Sequence, residues 1–355
     1  MAASRGRYPP VGHSRRLGCP EVPTSGTLTH PGGVTQQTSP TTGATTDPDG
    51  LAPLDLQQEP WPGHHEVLAG QEVHIRRTPG PDGVTPAVFV HGLGGSASNW
   101  TDLAGLLAPL APGLALDLPG FGRSAPPPHG RYSLTGSADA VTALLETTGP
   151  AHLFGNSMGG AVSILVAARR PELVRTLTLI SPAVPDLRPD PRRISDPRLP
   201  LAYFPVIGGF FRRQLQASTP RERAEALVRL CFAEPDLVPE HRIAQAVAEA
   251  QERGGQSWAA DALGRSFSAL LQSWLVLPAR SLWTEAAKVS APTLLVWGAQ
   301  DKLVSVDRSP RLVATLPRGR LLVLNRVGHV AQMEQPVTVA RAVVAMMRAV
   351  ELGEW

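Results

Sequence analysis

The chain is poor in several residue types. It has two cysteines, Cys19 and Cys231, among 355 residues. Neither belongs to a C-x-x-C pair, which excludes a zinc site or a disulfide framework as the organising principle. No apolar run reaches the roughly 18 residues of a membrane span, so no stable membrane insertion is expected. The N-terminal arginines are not followed by an apolar stretch, so no standard secretory signal is expected and the reading is cytoplasmic. Lysine is nearly missing, with Lys288 and Lys302 the only two. The other cations are arginines interspersed with acids, and the net charge is +3. Codon bias toward G and C accounts for that substitution. No basic stripe is visible, so nucleic acid is not expected as a partner.

Apolar residues are plentiful, at 42% against 18% charged. That is enough for a sizeable core, and the length suggests about two domains. Residues 1–50 differ, since 28 of them are Ser, Thr, Pro or Gly. Such a segment has little to bury against its ordering entropy. A disordered tail over 1–60 is expected.

From residue 64 the pattern becomes structured. Residues 65–77 fit a hairpin turning at Ala69-Gly70. Short apolar runs at 86–91, 114–118, 151–154 and 177–180 read as strands buried on both faces. Helical patterns separate them at 98–110, 138–145 and through Val162, Leu165 and Val166. This alternation means βαβ units and a parallel sheet. It stops over 184–290, where a Pro/Arg/Asp-rich stretch precedes helical segments at 219–233, 239–252 and 256–276. Strands return at 292–297 and 321–324, and a helix follows at 336–352. The expected organisation is one α/β core, 61–183 and 291–355, with a helical cap inserted at 184–290.

Residues 154–160 read Phe-Gly-Asn-Ser-Met-Gly-Gly and contain G-x-S-x-G centred on Ser157. The motif alone is weak, but it falls between an apolar strand and a helix, as a nucleophile elbow requires. A serine hydroxyl needs a base, and the base needs an orienting acid. Asp301 follows one later strand and His329 the next, in the chain order expected of such an elbow. Asp186, after the fourth strand, is the alternative acid. The glycine-rich His91-Gly-Leu-Gly-Gly95 suits an oxyanion site, with the backbone N–H groups of Leu93 and Met158 as donors. Other residues invite plainer readings. His91 and His152 are read as structural, Asp117 and Arg123 as organisers of their loop, and Cys231 as a small buried apolar residue. Trp100, beside Asn99, is a candidate substrate contact. Several cap aromatics, among them Tyr203, Phe204, Phe210, Phe211, Trp258, Phe267 and Trp274, are candidates for packing or for lining an apolar pocket.

The pieces HGLGG at 91–95, DLPGFGRS at 117–124, GNSMGG at 155–160, WGAQD at 297–301 and GHVAQME at 328–334 resemble the α/β-hydrolase superfamily, in its esterase/lipase-like branch. The resemblance spans about residues 64–352. It implies a mostly parallel eight-stranded sheet flanked by helices, with a helical cap, and a serine hydrolase acting on a hydrophobic small-molecule ester. No cofactor or metal is implied, and a monomer or homodimer is expected. Similar motifs occur in C–C bond hydrolases of aromatic-ring breakdown, and the fold also serves as a non-catalytic receptor. A serine at 157 departs from the branches that place an aspartate there.

Overall fold

The computed structural model describes residues 46–186, 219–277, 279 and 281–355. The tail to residue 45, most of the 185–200 stretch, Cys19, Tyr203, Phe204, Phe210 and Phe211 lie outside the described residues.

The hairpin forms as β1 (Gly63–Leu68) and β2 (Gln71–Thr78). Its turn residues Ala69 and Gly70 both have positive φ, at 50° and 79°, the pairing that matches the twist of two flanking strands. The other strands are β3 (Ala87–Val90), β4 (Gly113–Leu116), β5 (Ala151–Asn156), β6 (Val174–Ile180), β7 (Thr293–Gly298) and β8 (Gly319–Leu324). They form one eight-stranded sheet in the order β1-β2-β4-β3-β5-β6-β7-β8. The hairpin is antiparallel and pairs antiparallel to β4, while all later pairings are parallel.

Among the described residues the helices are α1 (Thr101–Leu107), α2 (Leu134–Thr148) and α3 (Met158–Arg169), then α4 (Pro220–Cys231), α5 (Glu240–Gly254), α6 (Ala259–Trp274) and α7 (Leu282–Ala286) between β6 and β7. The chain ends with α8 (Ser309–Thr315), α9 (Ala331–Glu334) and α10 (Pro336–Glu351). Alternation along the strands divides the core in two. Val88, Val90, Leu153 and Leu295 face α2 and α3. Ala87, Phe89, Phe154, Leu294 and Val296 face α1 and α10. Burying each large side chain of this kind stabilises the fold by roughly 1.5–3 kcal/mol. With both faces covered, the inner strands read as unbroken apolar runs.

The cap helices are only half-buried. Helix α4 starts at a Thr219/Glu222 capping box with Pro220 in its first turn, which satisfies free amides at its N-terminus. Helix α5 buries Ile243 alone, and α6 buries Ala262, Ser266 and Leu270. Cap and core nonetheless fall in one compact unit, Ala44–Trp355.

Some described residues before position 60 pack against the core. Leu51 is 1% exposed, among side chains of α1 and α10. Asp47 accepts hydrogen bonds from the amides of Asp49 and Leu51, and the Ala52 amide donates to Leu106 O at 3.0 Å. One buried leucine and an Asx turn hold this segment, features that an average over 50 residues hides.

His152 lies within β5 and contacts Thr176 Oγ1 through Nδ1 at 2.8 Å. Burial, aided by Arg175, pushes its pKa down to about 4 from 6.5. The folded protein therefore takes up this proton later than the unfolded chain as pH falls. The associated stability is complete above pH 6.5 and lost progressively toward pH 4. At pH 5 the loss is about 2 kcal/mol. Urea unfolding at pH 7 and pH 5 checks this: His152→Gln is expected to lose less stability than the wild type between the two pH values.

Candidate active site

The turn from β5 into α3 sets Ser157 at φ 54° and ψ −118°. This is a strained conformation for a residue with a side chain, and one that functional turns retain when surrounding bonds enforce it. Here the Ser157 amide donates to Ile180 O at 3.0 Å, and its carbonyl accepts from Ala161 and Ala183. Glycines make room for the turn. A Cβ on Gly155 would sit 2.5 Å from Gly159 O, and one on Gly159 would sit 2.2 Å from Val90 O. Both obstacles are backbone and cannot swing away. Gly159→Ala is therefore expected to destabilise by about 3 kcal/mol or more, read as a shift of the urea midpoint.

The glycine-rich loop after β3 lies against this turn. A Cβ on Gly92 would be 3.0 Å from Ser157 Cβ. The amides of Leu93 and Met158 take part in no hydrogen bond among the described residues. They are free donors flanking the serine, and Met158 opens α3, where the helix dipole favours negative charge.

Asp301 and His329 meet beyond the ends of β7 and β8. His329 Nδ1 donates to Asp301 Oδ2 at 2.9 Å, and both side chains are almost wholly buried. The other Asp301 oxygen accepts the amides of Leu303 and Val304 at 2.8 and 2.9 Å. The carboxylate is thus fixed, and in a neutral imidazole it selects the tautomer that carries its proton on Nδ1. Asn156 ties the pair to the elbow, because its Nδ2 donates to Ile180 O at 3.1 Å and to His329 O at 3.0 Å. The Ser157 hydroxyl forms no hydrogen bond among the described residues; such contacts commonly tighten only with substrate bound. Asp186 is also buried, but it pairs with Arg308. The structure therefore brings Asp301, not Asp186, to the histidine.

The supporting residues follow their chemistry. His91 Nε2 accepts the Leu118 amide at 2.9 Å, and Nδ1 donates to Gly92 O at 2.7 Å. Complete burial lowers its pKa and keeps it neutral, so it shapes the glycine loop. Asp117 accepts from His74 at 2.8 Å and from the amides of Ala97 and Arg123. Burial alone would raise its pKa, but these bonds outweigh it and hold the carboxyl below its ordinary value. Arg123 makes a two-pronged pair with Glu252 of α5 at 2.8 and 3.1 Å, so it docks the cap. Cys231 is no nucleophile: burial, with Asp301 and Glu334 nearby, pushes its thiol up to about 12.

One expectation is corrected. Trp100 is not a substrate contact but is completely buried, with its ring 5.3 Å from Phe89 and 6.4 Å from Phe154. The 3-10 turn over 97–100, capped by Ser96, aims the indole into the core beneath α1. Sequence reasoning also passed over Asn156, whose position beside Ser157 in GNSMGG was the available signal. Among the described residues no group of three or more His, Cys, Asp or Glu could hold a metal ion. None of their helices is long and apolar enough to cross a membrane.

Residues 85–336 match the α/β-hydrolase fold family, and the chain belongs to that family. It is 29% identical over 274 residues to the dihydrolipoyllysine-residue acetyltransferase component of the acetoin cleaving system of Pseudomonas putida. The match covers 76% of this chain and 65% of that protein, so the chain spans just under two thirds of that relative's length. It is 27% identical over 269 residues to the 2-hydroxy-6-oxononadienedioate/2-hydroxy-6-oxononatrienedioate hydrolase 2 of the same organism, covering 71% of this chain and 84% of that one. Among solved structures it resembles a membrane phospholipase A, with a TM-score of 0.65 and 26% identity over 85% of this chain and 87% of that one.

Proposed function

We propose that the protein is a serine hydrolase that cleaves a carboxylic ester of a hydrophobic small molecule through an acyl-enzyme. His329 Nε2 takes the proton from Ser157 Oγ as the oxygen attacks the carbonyl. The amides of Leu93 and Met158 receive the oxyanion. His329 then gives its proton to the leaving alcohol, and water releases the acid by the reverse sequence. Asp301 holds the tautomer and stabilises the imidazolium. The observation that carries this reading is the buried Asp301–His329 hydrogen bond, tied through Asn156 to a strained serine flanked by two free amides. No metal or organic cofactor enters the scheme.

The likeness to an oxononadienedioate hydrolase supports a second reading, hydrolysis of a C–C bond with the same residues. A series of p-nitrophenyl esters of rising acyl length separates the two. The ester reading expects turnover with an optimum chain length, and an acyl mass adduct on the peptide containing Ser157 after rapid acid quenching. Absence of both adduct and turnover across the series would overturn it in favour of C–C substrates.

A further inference from the structure

The residues at the end of α4 form a strap against the proposed catalytic loops. Phe232 leaves the helix in an extended conformation, and Cys231 O accepts the His329 amide at 2.6 Å. Lys302, next to Asp301, donates through Nζ to Arg229 O at 2.8 Å and to Phe232 O at 3.3 Å. The strap passes so close that a Cβ on Gly328 would lie 2.4 Å from Cys231 O and 2.8 Å from Ala233 N. Glu334 closes the arrangement. One of its carboxylate oxygens accepts the Gly328 amide and the other accepts the Ala233 amide, both at 2.7 Å. A single side chain therefore grips the cap strap and the residue preceding His329 together.

We propose that Glu334 is a positioning residue for His329, a clasp that fixes the histidine loop to the cap strap and so sets where the imidazole stands. The proposal rests on the reading of His329 as the base. A carboxylate suits the task because it offers two acceptors and no donor, facing two backbone donors. Burial raises the Glu334 pKa and Asp301 adds to the rise, while the amides of Ala233, Gly328 and Val330 oppose it. The group is therefore desolvated and depends on these bonds. Glutamine keeps the size but turns an NH₂ toward one amide, so one bond is lost and two donors collide. An imidazole displaced by about 1 Å lowers turnover by about 10²-fold.

The test compares Glu334→Gln and Glu334→Asp with the wild type in three readouts. Ester kinetics are expected to show kcat lower by about 10²-fold with KM nearly unchanged. The far-downfield proton resonance of His329 Nδ1–H is expected to shift or broaden. Exchange of the Gly328 and Ala233 amides, slow in the wild type, is expected to quicken together. Val343→Ala, a core truncation in α10, serves as a destabilised control and is expected to keep its kcat below the melting transition. Wild-type kcat and an unmoved resonance in Glu334→Gln would overturn the proposal, as would a loss confined to KM. Should neither variant fold, fast exchange of the two amides in the wild type would overturn it too. The resonance is read without substrate, so a wild type inactive on esters would count against the esterase reading and leave the clasp to be decided separately.

Discussion

Ser157→Ala is expected to lose ester turnover by on the order of 10⁶-fold, with substrate still binding. The size of the loss follows from the geometry. Alanine removes the attacking oxygen but leaves the free amides of Leu93 and Met158 and the Asp301–His329 hydrogen bond in place. What remains is a rate on the order of 10³–10⁴ above water, supplied by oxyanion stabilisation and binding. The backbone at 157 is strained with any side chain, so alanine changes no conformational preference and the variant is expected to melt near the wild-type temperature. Single-turnover kinetics with a p-nitrophenyl ester make the comparison, and a variant retaining a tenth of the wild-type rate would exclude Ser157 as the nucleophile.

Asp301→Asn is expected to lower kcat by about 10⁴-fold with the fold intact. The Asp301 carboxylate accepts three hydrogen bonds, two from amides and one from His329 Nδ1. An asparagine that keeps the amide bonds through its oxygen must turn its NH₂ toward the histidine. The imidazole then presents Nδ1 as acceptor and carries its proton on Nε2, where it cannot serve as base. Asp186→Asn gives the contrast. It breaks the buried pair with Arg308 and is expected to lower the melting temperature while leaving kcat nearly unchanged. The opposite pattern, with activity following Asp186, would move the acid to the end of β6.

Much of this was legible in the sequence for a physical reason. Strands buried on both faces are short apolar runs, and β3, β5, β6 and β7 stand between glycines, prolines and polar helix starts. The elbow was legible because close backbone approach demands Gly155 and Gly159. Asp301 and His329 could be placed because they lie in the short loops that follow β7 and the edge strand β8. The parts that escaped share a different trait. Helix α8 spans seven residues, too few for a periodic apolar stripe. Leu51 is one apolar residue in a polar neighbourhood. Trp100 looked like a pocket residue because it follows the glycine loop, but a turn of 3-10 helix reverses its direction. The strap is held largely through backbone carbonyls, which leave no mark in sequence. Glu334 stood within the motif GHVAQME without an assigned task, because the partner that gives it one, the Ala233 amide, is distant in the chain.

The position of Cys231 gives the molecule a built-in reporter. Its carbonyl holds the His329 amide, while its thiol is buried and almost fully protonated at neutral pH. A thiol-directed reagent can modify it only in molecules whose strap has come away from the core, since reaction needs both access and the thiolate. The labelling rate of Cys231, followed by the mass of its own peptide and so apart from Cys19, thus measures how often the cap detaches from the histidine loop. Ligands that hold the cap down would slow it and ligands that wedge it open would speed it, giving a screen that needs no turnover.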